Sequence, residues 1–168
     1  MDPERLSIPE VAICAVSHEQ EWKQAHDIFK EYAHALPIDL AFQGFQEELE
    51  WLQEHYAPPA GVILLAFVDH QLAGCGALRP LADVDYPNAC EMKRLYVRPA
   101  FRRFGIGRQI SEALLEHARA VGYSVMLLDT MDEMETARGL YESLGFEEIP
   151  PYYYNPLPGA HYLKVDLD

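Results

Sequence analysis

Cysteine is scarce in this sequence: Cys14, Cys75 and Cys90 are the only three in 168 residues, and none forms a C-x-x-C pair. That excludes a disulfide framework and speaks against zinc-finger or dithiol chemistry. Basic residues are also few, 13 Lys and Arg against 27 Asp and Glu, for a net charge of -14. So acidic a surface repels phosphate backbones and anionic headgroups, so neither nucleic acid nor a membrane is expected as a partner. Long apolar runs are missing too. The longest, residues 62–68, falls far short of the ~20 residues of a membrane span. The first ten residues carry Asp2, Glu4 and Glu10 without the apolar stretch of an export signal. The seven histidines include no i,i+3 or i,i+4 pair and no H-x-E, so no metal is expected. These absences describe a reduced, cytoplasmic protein.

What is present is a composition for one core: 49% hydrophobic and 24% charged residues, at a length that suits one domain over 1–168. Trp22, Ala25, Phe29, Tyr32, Ala33 and Leu36 recur at helical spacing up to Pro37, and Phe42, Phe45, Leu49, Leu52 and Tyr56 repeat the period to Pro58-Pro59. Ile110, Leu114, Ala118 and Val121 predict a third helix from Gly107, with Gly122 as its stop, and Met134, Ala137, Leu140, Tyr141 and Leu144 a fourth. A capping box, Thr130 with Glu133, precedes the fourth. Seven β-prone runs are predicted as strands: 11–16, 61–68, 72–78, 89–97, 123–128, 146–149 and 162–167. The polar Asp69-His70-Gln71 makes the second and third a hairpin. This alternation implies an α/β or α+β domain on a mixed sheet.

Six of the thirteen basic residues, Lys93, Arg94, Arg98, Arg102, Arg103 and Arg108, fall within sixteen positions, where something anionic is expected. Within them Arg102-Arg103-Phe104-Gly105-Ile106-Gly107 joins a strand to a helix. Two glycines allow close backbone approach, and the helix N-terminus offers unpaired amides to a phosphate. A dinucleotide fingerprint would need a third glycine where Ile110 stands. Arg102, Gly105 and Gly107 resemble the acetyl-CoA signature of the GNAT superfamily of N-acetyltransferases. Leu95-Tyr96-Val97-Arg98-Pro99 is similar to the strand before that loop, and Ala137-x-x-Leu140-Tyr141-x-x-Leu144-Gly145-Phe146 to the later helix-to-strand motif.

The resemblance implies a mixed, mostly antiparallel sheet of about seven strands flanked by about four helices, and acetyl-CoA as acyl donor. It also implies that backbone groups of Leu95, Tyr96 and Val97 hold the acetyl and pantetheine end, while amides from Arg103 through Phe104, Gly105, Ile106 and Gly107 to Arg108 hold the pyrophosphate. Many relatives carry Asn three residues before the motif alanine, where this chain has Met134.

An alkylamine with pKa near ~10 must lose a proton before attacking a thioester. Glu91, six residues before Val97, is the candidate acceptor through one water; pairing with Lys93 or Arg94, or binding a cationic substrate, are its other roles. Tyr141 is the candidate donor to the departing thiolate, with packing beside Leu140 and Leu144 as its alternative. Cys75 and Cys90 read as buried structural thiols, so direct transfer in a ternary complex is expected over a covalent route. Tyr152, Tyr153, Tyr154 and Asn155 are candidates for the acceptor wall, and Glu47, Glu48 and Glu50 for attraction of a positive substrate. The reading is acetyl transfer to a primary amine of a small molecule, by a monomer or homodimer. A protein or peptide acceptor, and a non-catalytic acyl-CoA-binding module, are the alternatives.

Overall fold

In the computed structural model, which describes residues 10–36, 39–102, 104–131, 135–155 and 158–167, all seven expected strands form. The order along the chain is β1 (Val11–Ala15), α1 (Glu19–Ala35), α2 (Phe45–Glu50), α3 (Leu52–His55), β2 (Val62–Val68), β3 (Gln71–Leu81), β4 (Ala89–Val97), α4 (Ile106–Val121), β5 (Val125–Met131), α5 (Glu135–Ser143), β6 (Glu147–Ile149) and β7 (Ala160–Asp166). The strands build one sheet, β1-β2-β3-β4-β5-β7-β6, in which β4–β5 alone is parallel. Asp69 and His70 both take positive φ, 49° and 71°, which closes the β2–β3 hairpin in two residues because such turns match strand twist.

Each face of the sheet is covered. On one, Ile106, Ile110, Leu114 and Ala118 of α4 and Tyr141 of α5 pack on Leu64, Leu78, Met92, Met126 and Leu128. On the other, Ala25, Ile28 and Phe29 of α1, with Leu49, Leu52 and Tyr56, cover Ile63, Leu65 and Cys75. No described helix is long and apolar enough to cross a membrane.

Three expectations are corrected. The single helix over 42–56 is broken into a 3-10 turn (Leu40–Gln43), α2 and α3, because Gly44 is left-handed at φ 69° and Trp51 leaves helical geometry at φ -120°, ψ 40°. That division brings the helices to five. β5 starts at Val125, since the Tyr123 amide still bonds the Ala118 carbonyl in the C-terminal cap of α4. β3 runs on to Leu81 through Pro80, which is tolerated because β2 pairs with β3 only as far as Leu78. Glu133 of the expected capping box and Met134 lie outside the described residues.

The feature that positions the site lies in β4. Arg94 has φ 61°, a conformation costing about 1–3 kcal/mol for such a residue, and the β3–β4 register shifts between Cys75 and Ala77. Its guanidinium is clamped by Glu48 of α2, with Nε to Oε2 at 2.9 Å and Nη2 to Oε1 at 2.8 Å, and both side chains are buried. β4–β5 pairing meanwhile ends after three registers, Ala89–Val125, Cys90–Met126 and Glu91–Leu127. Beyond it the two strands splay.

Burial pushes the Glu48 carboxyl up, but the hydrogen bonds and charge of Arg94 outweigh that and hold it below the ordinary 4.5. A carboxylate with a lowered folded pKa stabilises the fold above the unfolded value and loses that contribution as pH falls through the folded one. Glu48→Gln is therefore expected to cost about 3–5 kcal/mol in urea unfolding at pH 7, the scale of an orphaned buried charge. It should also flatten the loss of stability below about pH 4.5.

Candidate active site

The turn into α4 carries amides without helical partners. Gly105 sits left-handed at the helix N-cap, φ 67°, with no side chain capping the helix and no acid in its first turn. The first bond across the turn is from the Gln109 amide to the Gly105 carbonyl, so the amides of 106–108 have no carbonyl inside the helix to pair with. A Cβ on Gly107 would meet Leu140 Cδ2 at 3.7 Å and Val97 Cγ2 at 3.8 Å, ordinary contacts. Packing therefore does not demand glycine there, whereas a ligand lying on the backbone does. Ile106 gives its side chain to the core and Phe104 is exposed. Arg103 lies outside the described residues.

The expected basic patch is not one surface. Arg94 is spent on Glu48, Arg98 on Glu31 and the Leu72 carbonyl, and Arg108 on Glu112 and Ser143. Arg102 Nε caps the Val97 carbonyl at 3.0 Å. Among the described residues, the amides at the start of α4, with the helix dipole behind them, remain as groups suited to an anion.

Past Glu91, the edge of β4 that faces β5 has no strand partner. Leu95, Tyr96 and Val97 lie on this stretch, with Tyr96 fixed by its hydroxyl donating to Glu31 at 2.8 Å. The resulting cleft is lined by Lys93, Leu95, Asp129, Tyr141 and Asn155 among others. Tyr141 is buried with its ring 5.6 Å from Phe146, and its hydroxyl bonds to none of the described residues. Burial pushes this phenol up, so it enters any reaction protonated.

Glu91 opens on a neighbouring cavity of about 320 Å³, whose lining includes Arg79, Asp83, Lys93, Tyr152 and Tyr153. Arg79 donates Nε and Nη2 to Oε1 at 3.0 and 2.9 Å, and the Tyr152 hydroxyl donates to Oε2 at 2.7 Å. Lys93 Nζ stands 3.9 Å from Oε1. Glu91 thus pairs with Arg79 and, at longer range, with the expected Lys93, but not with Arg94.

The tyrosines divide. Tyr152, Tyr153 and Tyr162 form an edge-to-face trio with centroids 5.3–5.5 Å apart, and Tyr153 donates to Asp129 Oδ2 at 2.6 Å. Asn155 reaches the cleft, whereas Tyr154 is 84% exposed and lines neither space. The expected acidic attraction is also revised: Glu48 is buried in its pair with Arg94, which leaves Glu47 and Glu50 on the α2 surface.

Arg79 and Asp129 were missed in the sequence. Asp129 had a signal, a carboxylate inside the apolar run 125–131; Arg79 had none, because its partner is fixed by the β3–β4 register. Burial pushes the Asp129 carboxyl up, against the Tyr153 hydrogen bond and the charge of Lys93. Burial likewise lowers the Lys93 amine to about 8. The thiols are held protonated: burial pushes Cys90 up to about 12 and Cys14 to about 11, and raises Cys75 as well. Thiols raised in this way are poor nucleophiles.

The chain is similar to known proteins in sequence and in fold. The Acetyltransferase (GNAT) family profile matches residues 22–146. An uncharacterized N-acetyltransferase of Schizosaccharomyces pombe is 37% identical over 158 residues, 94% of this chain and 95% of that protein. The IAA acetyltransferase of Azospirillum brasilense is 33% identical over 112 residues, 66% of this chain and 71% of its own. Among solved structures, yncA of Salmonella typhimurium with its cofactor acetyl-CoA superposes with a TM-score of 0.64 at 19% identity, covering 94% of each chain. With fold, cradle and cleft in agreement, the chain belongs to the GNAT family and is an acetyl-CoA-dependent acyltransferase.

Proposed function

We propose that the chain moves the acetyl group of acetyl-CoA to a primary amine of a small molecule, by direct attack while both are bound. The observation that supports this reading is a half-open cavity of about 320 Å³ beside the cleft, small against a peptide and lined by Arg79, Glu91, Lys93 and two tyrosines. It lies at the lower end of the about 300–1,000 Å³ usual for small-molecule sites, and a protein acceptor would be better served by an open groove. The bound donor supplies an activated thioester. The amides of 103–108 hold its pyrophosphate, and the backbone of Leu95, Tyr96 and Val97 holds its acyl end, where an amide on the splayed edge meets negative charge developing on the carbonyl oxygen.

Glu91 takes the ammonium proton through a water, the freed nitrogen pair forms the new N–C bond, and as the C–S bond breaks the nitrogen releases its second proton to solvent, leaving the neutral amide. Tyr141 gives its proton to the departing sulfur and regains one from solvent. A second assignment of the base, Asp129, is favoured by its place in the same cleft as Tyr141, while both oxygens of Glu91 already accept hydrogen bonds.

Glu91→Gln is expected to lower kcat about 100-fold or more and remove the acidic limb of the pH profile, the usual scale of lost general-base catalysis. A raised KM with kcat intact would make Glu91 a binding group, and the same loss in Asp129→Asn alone would move the base there. Tyr141→Phe, which keeps the ring contact with Phe146, should lower kcat more than it weakens acetyl-CoA binding; a wild-type rate would leave Tyr141 as packing.

Millimolar acetyl-CoA should raise Tm, because a ligand that binds only the folded state stabilises it. Gly107→Leu should abolish most of that shift, while Gly107→Ala, which has room for its Cβ, serves as the folding control. An unshifted Tm in the wild type would refute the donor site. Release of coenzyme A with amines separates an enzyme from a non-catalytic binder.

A further inference from the structure

The two oxygens of the buried Glu91 carboxylate are held in different ways. The β3–β4 register sets Arg79 directly opposite Glu91, so one oxygen is fixed from within the sheet. Arg79 gives both its Nε and its Nη2 bond to Oε1, and Lys93 stands on that same oxygen at 3.9 Å. Among the described residues Oε2 has one hydrogen bond, from the Tyr152 hydroxyl at 2.7 Å. A carboxylate oxygen accepts two bonds. Oε1 is therefore filled, and Oε2 keeps one acceptor site at which a proton, or the water that delivers it, can arrive.

Tyr152 reaches that oxygen from a place 61 positions further along the chain. Pro150 and Pro151 precede it and fix φ, which reduces the entropy lost in ordering the loop. Its ring lies edge-to-face against Tyr153 and Tyr162, with centroids at 5.5 and 5.3 Å. Those contacts use the ring and make no use of the hydroxyl, which serves Glu91. Burial, and after it the charge of Glu91, push this phenol up. It keeps its proton and so bears on the reaction through the carboxylate.

Resting on the reading above in which Glu91 is the base, we propose that Tyr152 is its positioning residue: the phenol holds Oε2 so that the remaining acceptor site of that oxygen receives the ammonium proton. The bond and proton balance is the one already given, and Tyr152 neither gains nor loses a proton in it.

The test uses the full chain with acetyl-CoA and follows coenzyme A release with ethanolamine, benzylamine, putrescine and the common amino acids. With the fastest of these, Tyr152→Phe, which keeps the ring contacts, is expected to lower kcat about 10-fold while KM for acetyl-CoA and for the amine stays within about 2-fold, as for a displaced base in a site that still binds. In the Glu91→Gln background the same change should cost nothing further, because no base is left to position. A wild-type kcat in Tyr152→Phe overturns the proposal, as does a loss confined to KM or a 10-fold loss repeated in full on Glu91→Gln. If Glu91→Gln itself keeps the wild-type kcat, the base assignment fails and this inference with it; if Glu91→Gln loses activity and Tyr152→Phe does not, this inference alone fails. If no amine releases coenzyme A, both fail.

Discussion

A buried ion pair between residues 46 positions apart sets the geometry on which the site depends. Arg94 adopts a backbone conformation that costs about 1–3 kcal/mol, and the two-bond grip of Glu48 over-determines it. That conformation accompanies the slip in the β3–β4 register and lies three residues beyond the point at which β4 stops pairing with β5. A central parallel pair would otherwise be a continuous ladder with no room for a thioester. Here the strands part and leave backbone groups of β4 without a β5 partner. α2, six residues long, has its importance in delivering one carboxylate to that point.

The polar interior follows one scheme. Most charges on the sheet face beneath α1–α3 and the tyrosine trio are held by another element: Arg94 by α2, Arg79 and Glu91 across two strands, Glu91 again by Tyr152, and Asp129 by Tyr153. The trio is therefore more than an aromatic wall. Its hydroxyls orient the two carboxylates nearest the reaction space, which links the C-terminal loop to the chemistry without itself supplying a base. Positioned groups of this kind need no reorganisation when charge develops.

Much of this was legible in the chain. The strand runs, the two-residue hairpin at Asp69-His70, the stop at Gly122 and the Gly105 turn are local events, fixed by side-chain period or by positive φ within a few residues. Sequence missed what depends on distant partners. Gly44 and Trp51 interrupt an unbroken helical stripe, since α2 must turn to present Glu48. Pro80 looked like the end of a strand because the missing partner on its far side cannot be seen from the chain. Glu91 was visible as a carboxylate at a suggestive spacing, yet its true companion is Arg79, which only register reveals. Asp129 stood in plain view and was passed over inside an apolar run.

The way the basic residues are spent bears on how ligands arrive. With Arg94, Arg98 and Arg108 each neutralised by a carboxylate of the chain, the outside of a chain of net charge -14 offers little long-range pull to a polyanion such as coenzyme A. Capture then relies on amide dipoles at the start of α4, which act only over the last few ångströms. Added salt shortens the range of the repulsion, to about 8 Å at physiological ionic strength, without weakening those dipoles in proportion. Association with the donor accordingly quickens as ionic strength rises, the reverse of a cradle built from exposed lysines and arginines.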